Sequence, residues 1–255
     1  MGMRWPGFRK VRGQVCKRLR RRCVELGLAD LIAYRAYLEG HPEEWAVLDG
    51  LTHVTISRFD RDRRVFACLQ REVLPVLARA VGARGAGAVE VWSAGCASGE
   101  EPYTLSMIWD LCLAGDFPGV RLRILATDVD ELVLARARRA CYGAASLREL
   151  PHEWKAEAFV ERDGSYHVTG RVREAVRIER HDIRSRPPRG RFELVMCRNL
   201  AFTYFDRDGQ RAAAEALAGA LCPGGALVIG KHEALPADVV GFEPWNAALR
   251  IYRRA

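Results

Sequence analysis

The chain has 255 residues, 49% hydrophobic and 28% charged, enough to bury one sizeable core with a small appendage. No apolar run approaches the roughly 18 residues of a membrane span, which excludes a helical integral membrane protein. The net charge of +8 is uneven: residues 1–23 carry nine Arg and Lys and no acid, whereas the rest has 31 basic and 32 acidic residues. Eight cysteines without a C-x-x-C pair argue against a disulfide framework and against a metal site. The basic N-terminus lacks the apolar core of a secretory signal, so the cytoplasm is the expected compartment.

In chain order, Val11, Val15, Leu19 and Cys23 recur every four residues, which predicts an amphipathic helix with its arginines outward. A basic face of this kind is most often merely solvated; otherwise it steers an acidic protein, nucleic acid or lipid surface. Asp30 is placed to cap a second helix, Leu31 to Leu38, and Pro42 to open a third that ends near Gly50. Residues 1–50 are therefore read as a basic all-helical domain and 51–255 as the main domain. After Leu51 to Phe66, LTHVTISRFDRDRRVF, a helix is predicted from Val65 to Ala80, kinked at Pro75.

The stretch that organises the rest runs from Val89 to Trp109, VEVWSAGCASGEEPYTLSMIW: a buried strand, a turn over Gly95 to Gly99, and a helix opening at Ser98 or Gly99. A strand feeding a helix through a turn of little bulk lets a ligand lie against backbone N–H groups. The spacing is neither G-x-G-x-x-G nor a P-loop, and Glu100 and Glu101 would repel a phosphate. A ligand here should carry a cationic end, as S-adenosylmethionine does. On the turn alone, an ordinary strand–turn–helix with solvated glutamates explains the residues equally well.

A helix over 99–113 leads to a second buried strand, Leu122 to Thr127, and Asp128 follows it, where a doubly wound fold holds ribose hydroxyls. Asp130 caps the helix predicted over 131–142. Asp163-Gly164 between short apolar runs reads as a hairpin within 151–176. Further strands are predicted over Val176 to His181, Phe192 to Cys197 and Ala226 to Gly230, with Leu249 to Tyr252 as the last edge and a helix over 207–221. The alternation predicts an α/β, doubly wound, mostly parallel sheet of about seven strands with its ligand at the carboxyl ends.

SAGCASGEEPY, Ser93 to Tyr103, resembles the cofactor loop of the chemotaxis receptor methyltransferases, the CheR family, whose pattern is close to WSAGCSTGEEPYSLAM. SRFDRDRRVF, ATDVD and CRNLAFTYFD are similar to further family stretches in the same order. The resemblance covers most of residues 11–253. It implies a Rossmann-like class I methyltransferase sheet with a small helical N-terminal domain and a short β-hairpin insertion. It also implies S-adenosylmethionine as cofactor, with S-adenosylhomocysteine as product.

Carried over residue by residue, the resemblance makes Thr55 and Ser57 the counterparts of a cofactor-contacting Asn and Thr. Arg61 becomes the arginine needed for activity, and Tyr204 the active-site tyrosine. Gly95, Glu100 or Glu101, Asp128, Asp182, Ile183, Asn199 and Leu200 would hold the cofactor. Three departures stand out: Thr55 for Asn, Asp60 for a second Phe, and one extra residue between Asn199 and Tyr204, which leaves Thr203 as the alternative to Tyr204. Lys231-His232-Glu233 stands where the family has G-H-S-E, and no base is assigned to His232. The family's N-terminal helices are thought to face an acidic protein substrate.

An arginine near the acceptor suits a carboxylate, because its planar fork can hold one oxygen while the other faces the methyl carbon. The expectation is a methyltransferase acting on a protein glutamate. The alternatives are a small carboxylate-bearing molecule as acceptor, or a non-catalytic binding module with a degraded pocket. Nucleic acid is disfavoured because the chain lacks the interleaved aromatics of an RNA-reading surface.

Overall fold

The computed structural model describes residues 2–9, 11–52 and 57–255. The chain divides into two compact units, Met1–Ile56 and Ser57–Ala255, so the division falls six residues beyond the expected end of the helical domain.

In the first unit, the helices Arg12–Glu25, Leu31–Gly40 and Glu44–Thr52 follow a short turn of 3-10 helix, Trp5–Phe8. The stripe packs as its spacing requires: Cys23, Tyr34 and Leu38 are buried, with Leu19, Leu26, Leu28 and Leu48 against them, while Lys17, Arg20 and Arg21 face outward. Asp30 caps the second helix by accepting hydrogen bonds from the Ile32 and Ala33 N–H groups, both at 2.8 Å. A part-buried ion pair adds to this core. Arg22 meets Glu44 through two bonds of 2.9 and 2.8 Å, and the Tyr34 hydroxyl donates to the same carboxylate at 2.8 Å.

The second unit is built on a seven-stranded sheet. Its strands, numbered with those of a smaller sheet, are β1 (Ala88–Ala94), β2 (Arg121–Asp128), β6 (Val176–Arg180), β7 (Phe192–Cys197), β8 (Leu221–Ile229), β9 (Phe242–Asn246) and β10 (Ile251–Arg254), in the order β6-β2-β1-β7-β8-β10-β9. The first five are parallel, and β10 runs antiparallel to both its neighbours. Near-continuous apolar runs such as FELVMC in β7 are what a strand covered on both faces needs. This is the expected doubly wound α/β architecture. The sheet order reverses between β1 and β7, which opens a crevice at their carboxyl ends.

Several boundaries differ from the sequence expectation. The helix around Pro75 continues as Arg63–Cys68, Leu69–Val73 and Leu74–Ala83, the middle segment being a π-helical turn. Widening the turn ahead of the proline absorbs its missing N–H and its ring without ending the helix. The helix expected over 131–142 stops at Arg139, where Ala140 turns left-handed, and Cys141–Tyr142 becomes strand β3. β3 joins the hairpin of β4 (Phe159–Arg162) and β5 (Ser165–Val168) in a three-stranded sheet ordered β3-β5-β4. β8 starts at Leu221, through a register shift around Pro223-Gly-Gly, and β9 was not anticipated. No helix among the described residues is long and apolar enough to cross a membrane.

Candidate active site

The turn after β1 is held by main chain. Gly95 and Cys96 both donate their N–H to the Thr127 carbonyl at 2.8 Å, which seats the turn on the end of β2. Gly95 has φ +79°, and a Cβ added there would lie 2.5 Å from Leu200 Cδ2; Gly99, at φ +93°, is closed in by Ala137 and Tyr142. Conformation therefore favours glycine at both positions, and at Gly99 the neighbouring Ala137 and Tyr142 leave little room besides. Asp128 continues the same construction: one carboxylate oxygen accepts from the Ala97 N–H and the other from the Asp130 N–H, both at 3.0 Å. These bonds fix the carboxylate at the carboxyl end of β2, where a doubly wound fold meets a ribose.

The paired glutamates diverge because consecutive helical residues point about 100° apart. Glu100, 1% exposed, accepts from the Ser98 hydroxyl at 2.8 Å and has Arg136 at 3.7 Å. Glu101 turns to the other side, accepting from the Ser93 hydroxyl at 2.8 Å and from Arg198 at 3.1 Å. The structure thus places Gly95, Glu101, Asp128, Asn199 and Leu200 around the strand ends, with Glu100 buried behind them.

Asp182 and Ile183 follow β6. Ile183 is buried, and the Asp182 carboxylate accepts from the Arg184 N–H at 2.9 Å and is gripped by its guanidinium at 2.8 Å. Ser57 is half-buried at the start of this unit, while Thr55 lies outside the described residues.

Two residues that the sequence reading left without a role hold the opposite wall. Arg198, at the end of β7, is 8% exposed; its guanidinium bonds Glu101, the Asp62 carboxylate at 2.5 Å and the Arg61 carbonyl at 3.1 Å, over the Phe66 ring. It joins the turn bearing Arg61 to the helix that follows the cofactor turn. Glu233, 3% exposed, accepts from the N–H groups of Gly230 and Asn199 and from the Thr203 hydroxyl. A charged residue closing the buried run of β7 must find partners, and that was the signal available for Arg198.

The Thr203 hydroxyl is bound to Glu233 at 2.6 Å, whereas the Tyr204 phenol senses Arg61. Burial holds that phenol above its usual range, with the Arg61 charge pulling down and the Glu233 charge pushing up. Asp60, the departure from the family pattern, is 6% exposed in a left-handed conformation and accepts from Arg63 at 3.0 Å. Its carboxyl is raised, chiefly by burial.

The donor set suits S-adenosylmethionine. Carboxylates at Glu101 and Asp128 would face its ammonium and ribose, and the tight glycine turn at the end of β1 would let the ligand approach the backbone closely.

The comparisons agree with this chemistry. The model of the CheR methyltransferase SAM-binding domain matches residues 55–249. A chemotaxis protein methyltransferase of Listeria monocytogenes is 35% identical over 191 residues, covering 74% of this chain and 69% of that protein. A probable chemotaxis protein methyltransferase of Rhizobium etli is 30% identical over 231 residues, covering 88% and 85%. WspC of Pseudomonas putida, a probable biofilm formation methyltransferase, is 32% identical over 235 residues, covering 90% and 53%. The chain belongs to the CheR methyltransferase family and is an S-adenosylmethionine-dependent methyltransferase.

Proposed function

We propose that the methyl acceptor is the side-chain carboxylate of a protein glutamate, methylated on oxygen in the cytoplasm. The observation that supports this reading is the bond of 3.1 Å from Arg198, at the end of β7, to the Arg61 carbonyl, which ties the turn bearing Arg61 to the segment leading to Tyr204, where the Arg61 charge acts on the phenol. A guanidinium there orients a planar carboxylate bidentately, and the phenol supplies a neutral wall to the transfer site. A carboxylate is ionised at neutral pH and needs no general base, so the demand on the protein is alignment. Bound S-adenosylmethionine supplies a methyl group activated by its sulfonium for in-line displacement.

Arg198 fixes the main chain of Arg61 by its bond to the carbonyl, and Glu101 and Asp62 in turn fix Arg198. The exposed arginines of the first helix would draw an acidic protein surface towards the enzyme. A small carboxylate-bearing molecule would need no such face.

The test is transfer of tritiated methyl from S-adenosylmethionine to glutamate-rich helical proteins and, separately, to small carboxylic acids. A methyl ester releases its label as volatile methanol under mild alkali, which an N-methyl group does not. Alkali-labile label on protein is the expected result, with Arg61→Ala lowering kcat about 100-fold. Alkali-stable label, or transfer to small acids alone, would overturn the reading.

A further inference from the structure

We infer that Glu233 is a positioning residue for methyl transfer, a buried carboxylate that pins the segment from Asn199 to Tyr204 at both ends and so sets where Tyr204 stands relative to Arg61. The inference deepens the acceptor-side reading given above and rests on it.

β8 ends at Ile229, and Gly230 delivers Glu233 back beneath the segment that leaves β7. One carboxylate oxygen accepts from the Gly230 N–H at 2.5 Å and from the Asn199 N–H at 2.8 Å. The other accepts from the Thr203 hydroxyl at 2.6 Å. The seat is closed. A Cβ at Gly230 would lie 2.6 Å from Glu233 Oε2 and 2.9 Å from the Asn199 nitrogen. Asn199 itself is held left-handed, at φ +56°.

None of these donors is a cation, so the carboxylate is buried at a cost that a neutral side chain would avoid. What the charge adds is its effect on the neighbouring phenol: Arg61 and Glu233 both act on Tyr204, with opposite signs. The arrangement also accounts for the extra residue between Asn199 and Tyr204 relative to the C-R-N-V-L-I-Y-F-D pattern. Thr203 absorbs it by turning its hydroxyl to Glu233, and the tyrosine after it stands within the field of the Arg61 charge.

Glu233→Gln, Thr203→Val and Thr203→Ser separate this role from simple scaffolding, because glutamine keeps an acceptor for both N–H groups and serine keeps the hydroxyl. Three quantities are read: calorimetric affinity for S-adenosylhomocysteine, methyl-transfer kinetics, and the tyrosinate titration of Tyr204 taken as the ultraviolet difference from Tyr204→Phe. Thr203→Val is expected to keep its affinity while kcat falls about tenfold, the scale of one hydrogen bond to a charged group. Thr203→Ser should restore it, and Glu233→Gln should move the Tyr204 titration to lower pH. Loss of affinity in step with kcat, failure of serine to rescue, or an unmoved titration in Glu233→Gln would overturn the inference. The titration requires no acceptor, so an intact enzyme that methylates no carboxylate would sink the proposed acceptor while the titration still decides the role of Glu233.

Discussion

The two walls of the crevice are built by different means. On the cofactor side the holding is done by main chain over short distances: glycines in left-handed conformation, a carbonyl at the end of β2, and Asp128 closing two N–H groups. On the side that carries Arg61 and Tyr204 it is done by two side chains that join segments remote in sequence. Arg198 ties residues 61 and 62 to 101, and Glu233 ties 199 and 203 to 230. A wall made of backbone leaves little for side chains to vary, whereas a wall made of buried charges stands or falls with one residue.

The largest test of that contrast is Arg198→Leu. It leaves Asp62 and Glu101 part-buried without their cation and is expected to cost about 3–5 kcal/mol in urea unfolding, as the breaking of buried ion pairs does. A variant as stable as the parent would show that this wall does not depend on its hub.

Next comes Gly95→Ala, which sets a strained φ and a contact with Leu200 against one another. About 2 kcal/mol and loss of S-adenosylhomocysteine binding are expected. Adding Leu200→Ala should return part of the stability, since it makes room but leaves φ unchanged, and calorimetry on the pair sharpens how much of the cradle is conformation and how much is space.

The smallest effect lies at Asp60. Its folded-state carboxyl is raised by burial against the partial relief of Arg63, so the folded protein holds the proton longer than the unfolded chain. Its contribution to stability therefore falls as pH rises from the ordinary aspartate range through the raised value, and is level above it. Asp60→Asn tolerates the left-handed backbone and removes that dependence. The difference in unfolding free energy between parent and variant should decline with pH across that window, and a flat difference would show that burial does not dominate there.

The cofactor turn was legible because everything that shapes it is contiguous: VEVWSAGCASGEE contains the strand, both glycines and both glutamates. Asp128 was legible because an acid directly after a buried strand has few other places to be. The choice between Thr203 and Tyr204 was open in the sequence, since spacing relative to a pattern does not say which residue absorbs an insertion; the bond from Thr203 to Glu233 sets the two apart. Glu233 was passed over because a glutamate after a strand in a Lys-His-Glu run reads as solvated, and only the return of the chain past Asn199 buries it. Strand β3 was missed for a similar reason: Cys141-Tyr142 continues a helical pattern, and what makes it a strand is pairing with Tyr166 and His167.

By itself, the sequence determined the alternation of strands and helices, the glycine turn and the identity of the family, because hydrophobic period, turn chemistry and motif order are local properties of a chain. Only the tertiary structure decided which glutamate of the pair meets Arg198, which hydroxyl meets Glu233, and that the turn carrying Arg61 is anchored from the end of β7. Those pairings depend on where strands far apart in sequence come to lie, and the direction of a buried charged side chain is set by whichever partner the fold brings within reach.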